Sequence, residues 1–345
     1  MRELPTPRGA ISEALFKTLQ GDPTQATDSL PTHVGRPSDP LAAEDLQLAL
    51  YCCYELHYGG LPGVDDRWEW DPRLLAVRAM LEDLFERTLL DLLGPPREGA
   101  SPEEMDLALR AIADADETPS LSSYMRREAT REQFEEFLTH RSAYQLKEAD
   151  PHSWALPRLA GPPKAALVEI QADEYGGGRA DRIHATLFAD SMRALGLDST
   201  PNVYLDAIPG VTLATVNLMS FLGLHRRWRG AIVGHLALFE MTSSVPNRRY
   251  AEGLRRLGCG EQATAFFDEH VEADAVHENI AAVDLAGGLA RQQPELAADI
   301  LWGARALATL DARWTLSVFD AWTHGRSSLR VVGPPPRHDE LAATA

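Results

Sequence analysis

The sequence predicts an all-α protein, on three observations. Apolar residues recur at three- and four-residue spacings through most of the 345 positions. Alternating runs of strand type are scarce, and Pro and Gly clusters punctuate the periodic stretches. The one ambiguous apolar run, Ala166 to Ile170, is short, and its flanks favour a helix that starts at Pro163.

Composition bounds the function. Lys and Arg total 33 against 51 Asp and Glu, a formal net charge of -18. So acidic a surface repels phosphate backbones and anionic lipid heads, which argues against nucleic-acid and membrane partners. The hydrophobic share of 44% with seven Trp supports a packed core. No apolar run approaches the ~18 residues that span a bilayer. Met1 to Gly21 lacks the basic-then-apolar order of a secretory signal, so a cytoplasmic location is expected. Three cysteines, two of them the neighbours Cys52 and Cys53, make no disulfide framework and have no metal-like spacing.

Along the chain, residues 22–40 are rich in Pro, Ser, Thr and Asp and read as irregular. The first strong helix runs from Pro40 to about Tyr58, with Leu46, Leu48, Leu50, Cys53, Tyr54 and His57 mostly at three- and four-residue spacings and Gly59-Gly60 closing it. A second opens at Asp71-Pro72 and ends near Gly94, and a third begins at the Ser101-Pro102-Glu103-Glu104 cap and fades near Asp116. From Leu121 six or seven more helices are expected, with breaks at Pro151, Pro162-Pro163, Pro201, Pro209, Pro246, Gly258 to Gly260 and Pro294. The resulting division is an irregular lead-in over 1–40, a helical N-terminal extension over 41–117, a main helical domain over 118–330 and a flexible tail over 331–345.

The stretch FFDEHVEADAVHEN carries the first chemical signal, because His270, Asp274 and His277 are separated by four and then three residues. On a helix these positions fall within roughly 60° of one another, so two imidazoles and a carboxylate share one face. Taken alone, that pattern also describes a solvated polar face in an acidic protein. Three other segments add carboxylates. Glu240 sits in the apolar AIVGHLALFEMTSS, where an unpaired charge is costly unless Arg248, Arg249 or a metal compensates it. Glu148 lies at a helix end just before Pro151, with Lys147 beside it. Glu174 precedes Gly176-Gly177-Gly178, with His184 ten residues on. An unbroken helix turns about 280° over that interval. The two therefore share a face only if the glycines kink or unwind the chain; otherwise they end one helix and begin another.

Together these residues resemble the heme-oxygenase-like diiron oxidases and oxygenases, also described as iron-containing redox enzymes. The resemblance covers roughly residues 120 to 325, through RSAYQLKEADPHSWALPRL, EIQADEYGGGRADRIHA, the GLHRRWRGA-to-FEMTSS segment and FFDEHVEADAVHEN. It implies a heme-oxygenase-like helical bundle. In the N-oxygenating branch the ligands are a Glu before a Pro turn, an E-x9-H pair, a later lone Glu and an H-x3-D-x2-H helix. Carried over, these fall on Glu148, Glu174 with His184, Glu240, and His270 with Asp274 and His277.

Four carboxylates against two Fe(II) ions, with three neutral imidazoles, sum to zero, and a neutral buried site avoids an uncompensated desolvation cost. Mixed nitrogen and oxygen donors suit iron or manganese better than calcium or structural zinc; the preference for iron comes from the resemblance. It also implies O2 as co-substrate, an electron donor and a small-molecule substrate, with a homodimer left open. The expected activity is diiron N-oxygenation of an amine or guanidine. The alternatives are oxidative C–C cleavage or desaturation of an amino or fatty acid, and a non-catalytic helical metal store or scaffold. Glu55 and His57, two apart on different helix faces, read as packing and surface residues. The basic cluster His225 to Arg229 reads chiefly as a partner for the abundant carboxylates.

Overall fold

The computed structural model describes residues 4–25, 30–31 and 33–330, with the backbone alone described at 272–276. The expected tail at 331–345 lies outside the described residues. The elements described are helices, with no strand among them, and none is long and apolar enough to cross a membrane. The fold is all-α, as the periodicity predicts.

One compact unit combines Met1–Pro95 with Ile208–Phe221. It contains α1 (Ala10–Leu19), α2 (Glu44–Glu55) and α3 (Pro72–Leu93). Helix α1 corrects the reading of 1–40 as irregular. Its opening amides, those of Ile11 and Ser12, donate to the Asp45 carboxylate at 2.9 and 2.8 Å, and Leu15, Phe16 and Leu19 are buried. A cap supplied by another helix is invisible to a local reading. Helix α2 is buried along its whole length from Leu46 to Glu55. Its polar Gln47 is satisfied by Asn217, whose Nδ2 donates to Oε1 at 2.7 Å. Helix α3 begins where the sequence predicts, with Asp71 accepting from the Arg73 amide and Pro72 in the first turn.

The second unit combines Pro96–Ala207 with Leu222–Ala345. In chain order it holds α4 (Met105–Asp114), α5 (Leu121–Arg127), α6 (Arg131–Gln145), α7 (Asp150–Ser153), α8 (Gly161–Glu174) and α9 (His184–Ala194). After α10 (Gly210–Leu224), which straddles the division in sequence, come α11 (Arg229–Arg256) and α12 (Glu261–Asn279). A π-helical segment (Ile280–Gly287) then leads to α13 (Gly288–Gln292), and α14 (Ala297–Thr323) ends the described chain.

Helix α11 is the spine of this unit, packed against α12 and α14. A side chain at Gly234 would collide with the Ile300 carbonyl and one at Gly303 with that of Ala231, so these two glycines let α11 and α14 approach backbone to backbone. Nearby, Trp228 stacks on Trp302 with centroids 4.6 Å apart. The expected break at Pro246 does not occur, and α11 runs through it. An interior Pro costs about 3 kcal/mol. Burial of residues on both sides, from Ala231 to Leu238 and from Tyr250 to Leu254, outweighs that cost.

Candidate metal centre

Four backbone segments converge in the second unit. Glu148 sits in the turn between α6 and α7, placed there because α6 stops at Gln145 and Pro151 opens the next short helix. Glu174 is the last residue of α8 and His184 the first of α9. Between them Gly176, Gly177 and Gly178 all take positive φ, at 68°, 59° and 82°, a run that only glycine adopts freely. Gly176 also lies so close to the backbone of Arg182 and Ile183 that a Cβ would meet it at 2.6 and 2.7 Å. The helix therefore does not kink; it ends, doubles back and restarts, and His184 Nδ1 arrives 3.1 Å from Glu174 Oε2. Glu240 comes from the buried middle of α11, and His270 and His277 from α12.

Ligand atoms of Glu148, Glu174, His184 and His270 lie within 4.8 Å of one another, as do those of Glu174, Glu240 and His277. The two groups share Glu174. All six side chains are buried. His270 Nε2 is 3.5 Å from Glu148 Oε1, and His277 Nδ1 is 3.4 Å from Glu240 Oε2. Asp274 stands between the two histidines on α12, but its side chain lies outside the described residues. Glu240 makes no pair with Arg249, which donates instead to Ser120 and Ser122.

The cluster is electrostatically uncomfortable as it stands. Glu148 Oε2, Glu174 Oε2, His184 Nδ1 and His277 Nδ1 are buried with no hydrogen-bond partner. Buried polar atoms are nearly always paired, so four such atoms facing one another mark a place for a cation. Burial raises the Glu148 carboxyl above its ordinary range. Burial, then the Glu240 carboxylate, pushes Glu174 up to about 7. Burial and the neighbouring His270 bring His184 down to about 4. Burial also pulls His277 down, but Glu240, Asp173 and Glu174 outweigh it and carry the imidazole up to about 9. A divalent ion reverses these penalties, because it stabilises the ionised carboxylates and the neutral imidazoles.

The histidines are already oriented for such an ion. His270 Nδ1 faces the Phe266 carbonyl at 2.7 Å, which places the proton there and turns Nε2 toward Glu148. His277 Nε2 faces Asp173 Oδ2 at 3.0 Å, which leaves Nδ1 toward Glu240. Asp173 is the residue that the sequence reading missed. Its only signal was its place beside Glu174, and its largely exposed side chain resembles any other surface acid.

Glu55 and His57 join no metal-capable group among the described residues. Both are buried, so the expectation of packing holds and that of surface does not. Three carboxylates and three imidazoles suit a first-row transition ion such as iron, and suit neither calcium, which takes oxygen donors, nor structural zinc.

Comparison with known proteins agrees with this donor set. Residues 135–312 match the sequence profile of a family described as iron-containing redox enzymes. A stretch of 137 residues is 31% identical to the nitrosourea synthase of Streptomyces achromogenes subsp. streptozoticus, covering 39% of this chain and 29% of that protein. The profile spans every residue of the buried cluster and more than half of the chain. With its all-α heme-oxygenase-like fold, the chain belongs to the family of iron-containing redox enzymes.

Proposed function

We propose that the chain is a nonheme diiron oxygenase that uses O2 to oxygenate the nitrogen of an amine or guanidine. The observation that carries this reading is the sharing of Glu174 by two convergent ligand groups. Glu148, His184 and His270 would hold one ion, Glu240 and His277 the other, and Glu174, common to both groups, would serve both. Asp274, three residues before His277 on α12, is assigned to the same set by its position.

When bound, the iron pair supplies the reduction of O2 and the delivery of one oxygen atom. Hydroxylating an N–H bond with one atom of O2 turns the other into water and consumes two electrons and two protons. An external electron donor is therefore part of the proposal. The chain's own residues hold the site: Asp173 and the Phe266 carbonyl fix the two imidazoles, and the buried surroundings of Glu148 and Glu240 keep bulk water out. A cavity of about 370 Å3 reaches Glu148 and His270 and is the place for the substrate.

The likeness to a nitrosourea synthase favours nitrogen over carbon as the atom oxidised. Product analysis decides it. The Fe(II)-loaded protein is given labelled O2 and a reductant with a panel of amines, guanidines and fatty acids. One labelled oxygen on nitrogen is the expected result; an alkene or a shortened carbon chain assigns the protein to oxidative cleavage or desaturation.

A further inference from the structure

The carboxylate partner expected of the basic stretch His225 to Arg229 is absent at Arg226. That side chain is exposed and, among the described residues, has no acid within ion-pair distance. Arg227, exposed beside it, meets His225 Nδ1 at 3.4 Å, and Arg229 turns to Gln293 and the Arg226 carbonyl. Arg158 joins them from another part of the chain. Its two terminal nitrogens donate to the carbonyls of Gly223 and Leu224, the last residues of α10, and burial and then the Arg226 charge lower its pKa. Half-buried Trp154 packs on the same turn, where a Cβ at Gly223 would meet that of Trp154 at 3.6 Å.

Arg158, Arg226, Arg227 and the Trp154 indole thus share the junction of α10 and α11. At the start of a helix the dipole is already positive and cations are unfavourable, so the fold gains little from arginines there. The chain as a whole carries a charge of -18. An acidic protein is repelled by most of such a surface, and a local cationic face fixes where and how it docks. Arginine and tryptophan are also among the side chains enriched where proteins meet.

Behind this face lies a pair of buried histidines that the metal site does not use. His152 Nε2 is 3.1 Å from His235 Nδ1. Trp154 follows His152 by two residues. On its inner side His152 borders the same narrow space as Glu148, Glu174, Glu240 and His270, and His235 stacks on Phe239, the neighbour of Glu240. Six residues lead from Glu148 to Trp154, about 9 Å at helical rise, a short path for an electron.

We infer that the face formed by Trp154, Arg158, Arg226 and Arg227 docks the electron donor, a small acidic iron–sulfur protein, and that the His152–His235 pair bridges the electron's path to the metal cluster. The inference rests on the oxygenase reading and names the partner that reading requires. Each docked carrier is oxidised by one electron as one Fe(III) becomes Fe(II), so two carriers restore the pair after each O2. The substrate fills the cavity beside Glu148 and His270, and the electrons need a separate way in.

Binding is read without metal and transfer with it. Full-length metal-free protein is titrated calorimetrically with oxidised plant-type ferredoxin at low and at high salt. Wild type should bind at low salt and lose affinity as salt rises. Combined Arg226→Glu and Arg227→Glu should weaken binding about ten-fold or more. Arg127→Glu, the reversal of an exposed arginine on α5, should bind as wild type does. With the oxidised, iron-loaded protein, stopped-flow absorbance follows the reoxidation of reduced ferredoxin. The double variant should slow transfer at sub-saturating ferredoxin by about the same factor, yet accept electrons from photoreduced deazariboflavin, a small uncharged donor, as fast as wild type. His235→Phe should slow transfer several-fold at saturating ferredoxin with affinity unchanged, and His235→Gln, which keeps a hydrogen-bonding group toward His152, should restore most of the rate. Circular dichroism and iron content of each variant are compared with wild type; the docking arm needs only surface arginines and is decided even where a histidine variant fails to fold. No binding by wild type, equal binding by the double variant, an equal loss in Arg127→Glu, or an unchanged transfer rate in a folded His235→Phe overturns the inference. The oxygenase reading fails separately, if ferredoxin docks and reduces the iron but no labelled oxygen reaches nitrogen.

Discussion

Two buried clusters of Glu and His, one in each compact unit, are alike in composition and opposite in electrostatics. In the first unit Tyr54 donates to Glu82 at 3.0 Å, Arg78 Nε lies 3.3 Å from the same carboxylate, and Arg78 Nη1 and His57 Nε2 are 2.5 Å apart. His57 Nδ1 then meets Glu69 at 3.2 Å. A guanidinium inside the cluster supplies the positive charge. The second unit's cluster contains no Lys or Arg among its converging residues, and four of its buried atoms have no hydrogen-bond partner. Buried acids and histidines do not by themselves mark a metal centre. What marks it is a buried set of lone pairs with no internal cation.

The largest expected effect breaks the comparison at its shared ligand. Glu174→Ala should lose both irons, because both groups depend on that carboxylate, whereas His57→Ala should keep full iron content and lose only stability. Iron analysis after anaerobic reconstitution reads both. Iron retained in Glu174→Ala and lost in His57→Ala would reverse the assignment.

Stability in the absence of metal should separate the clusters next. Glu82→Ala strands the Arg78 charge and should cost about 3–5 kcal/mol in denaturant unfolding. Glu148→Gln removes a carboxylate from a site that resists its ionisation, so the metal-free variant should melt higher than wild type. A site built to bind is kept at the expense of the fold that holds it. Loss of stability in both variants would make the central cluster an ordinary paired network.

Acid should act through histidines that burial keeps neutral. His140 and His152 are buried, and burial lowers each to about 3. The unfolded chain titrates them near 6.5, so between about 6.5 and 3 it binds protons that the folded chain does not. Stability is full above that window and falls as the pH drops through it, by about 2 kcal/mol per histidine at pH 5. Chemical denaturation at pH 7 and pH 5 measures the loss; His140→Gln should reduce its pH dependence.

The smallest effect concerns orientation. Asp173→Asn should leave the ligands in place but weaken metal binding by about 10-fold to 100-fold, since the partner that fixes the His277 tautomer is altered. An unchanged affinity would make the 3.0 Å contact incidental.

Much of this architecture is legible in the residues, and the exceptions share a cause. Helix α3 announces itself through Asp71-Pro72, and α8 through its proline pair, because those signals are local. The three glycines foretell that the chain between Glu174 and His184 departs from a helix, but not that it turns back on itself; that depends on the close approach of Gly176 to Ile183. Helix α1 is hidden because its cap is Asp45, and Pro246 misleads because flanking helices hold α11 together. Arg141 opens one of the blocks that carry the family resemblance, yet only the fold brings Trp314 to it. Of the seven residues carried over by the family resemblance, the six with described side chains meet in space; spacing accounts only for His270 and His277 on one face of α12, and partners such as Asp173 are chosen by tertiary contact.

The most direct test of the central claim is an anaerobic Fe(II) titration of the full-length chain, followed by Mössbauer spectroscopy before and after exposure to O2. The account predicts saturation at two irons per chain and a spin-coupled ferric pair after oxidation, even if the protein is isolated nearly metal-free. Saturation at one iron, or none, would contradict it.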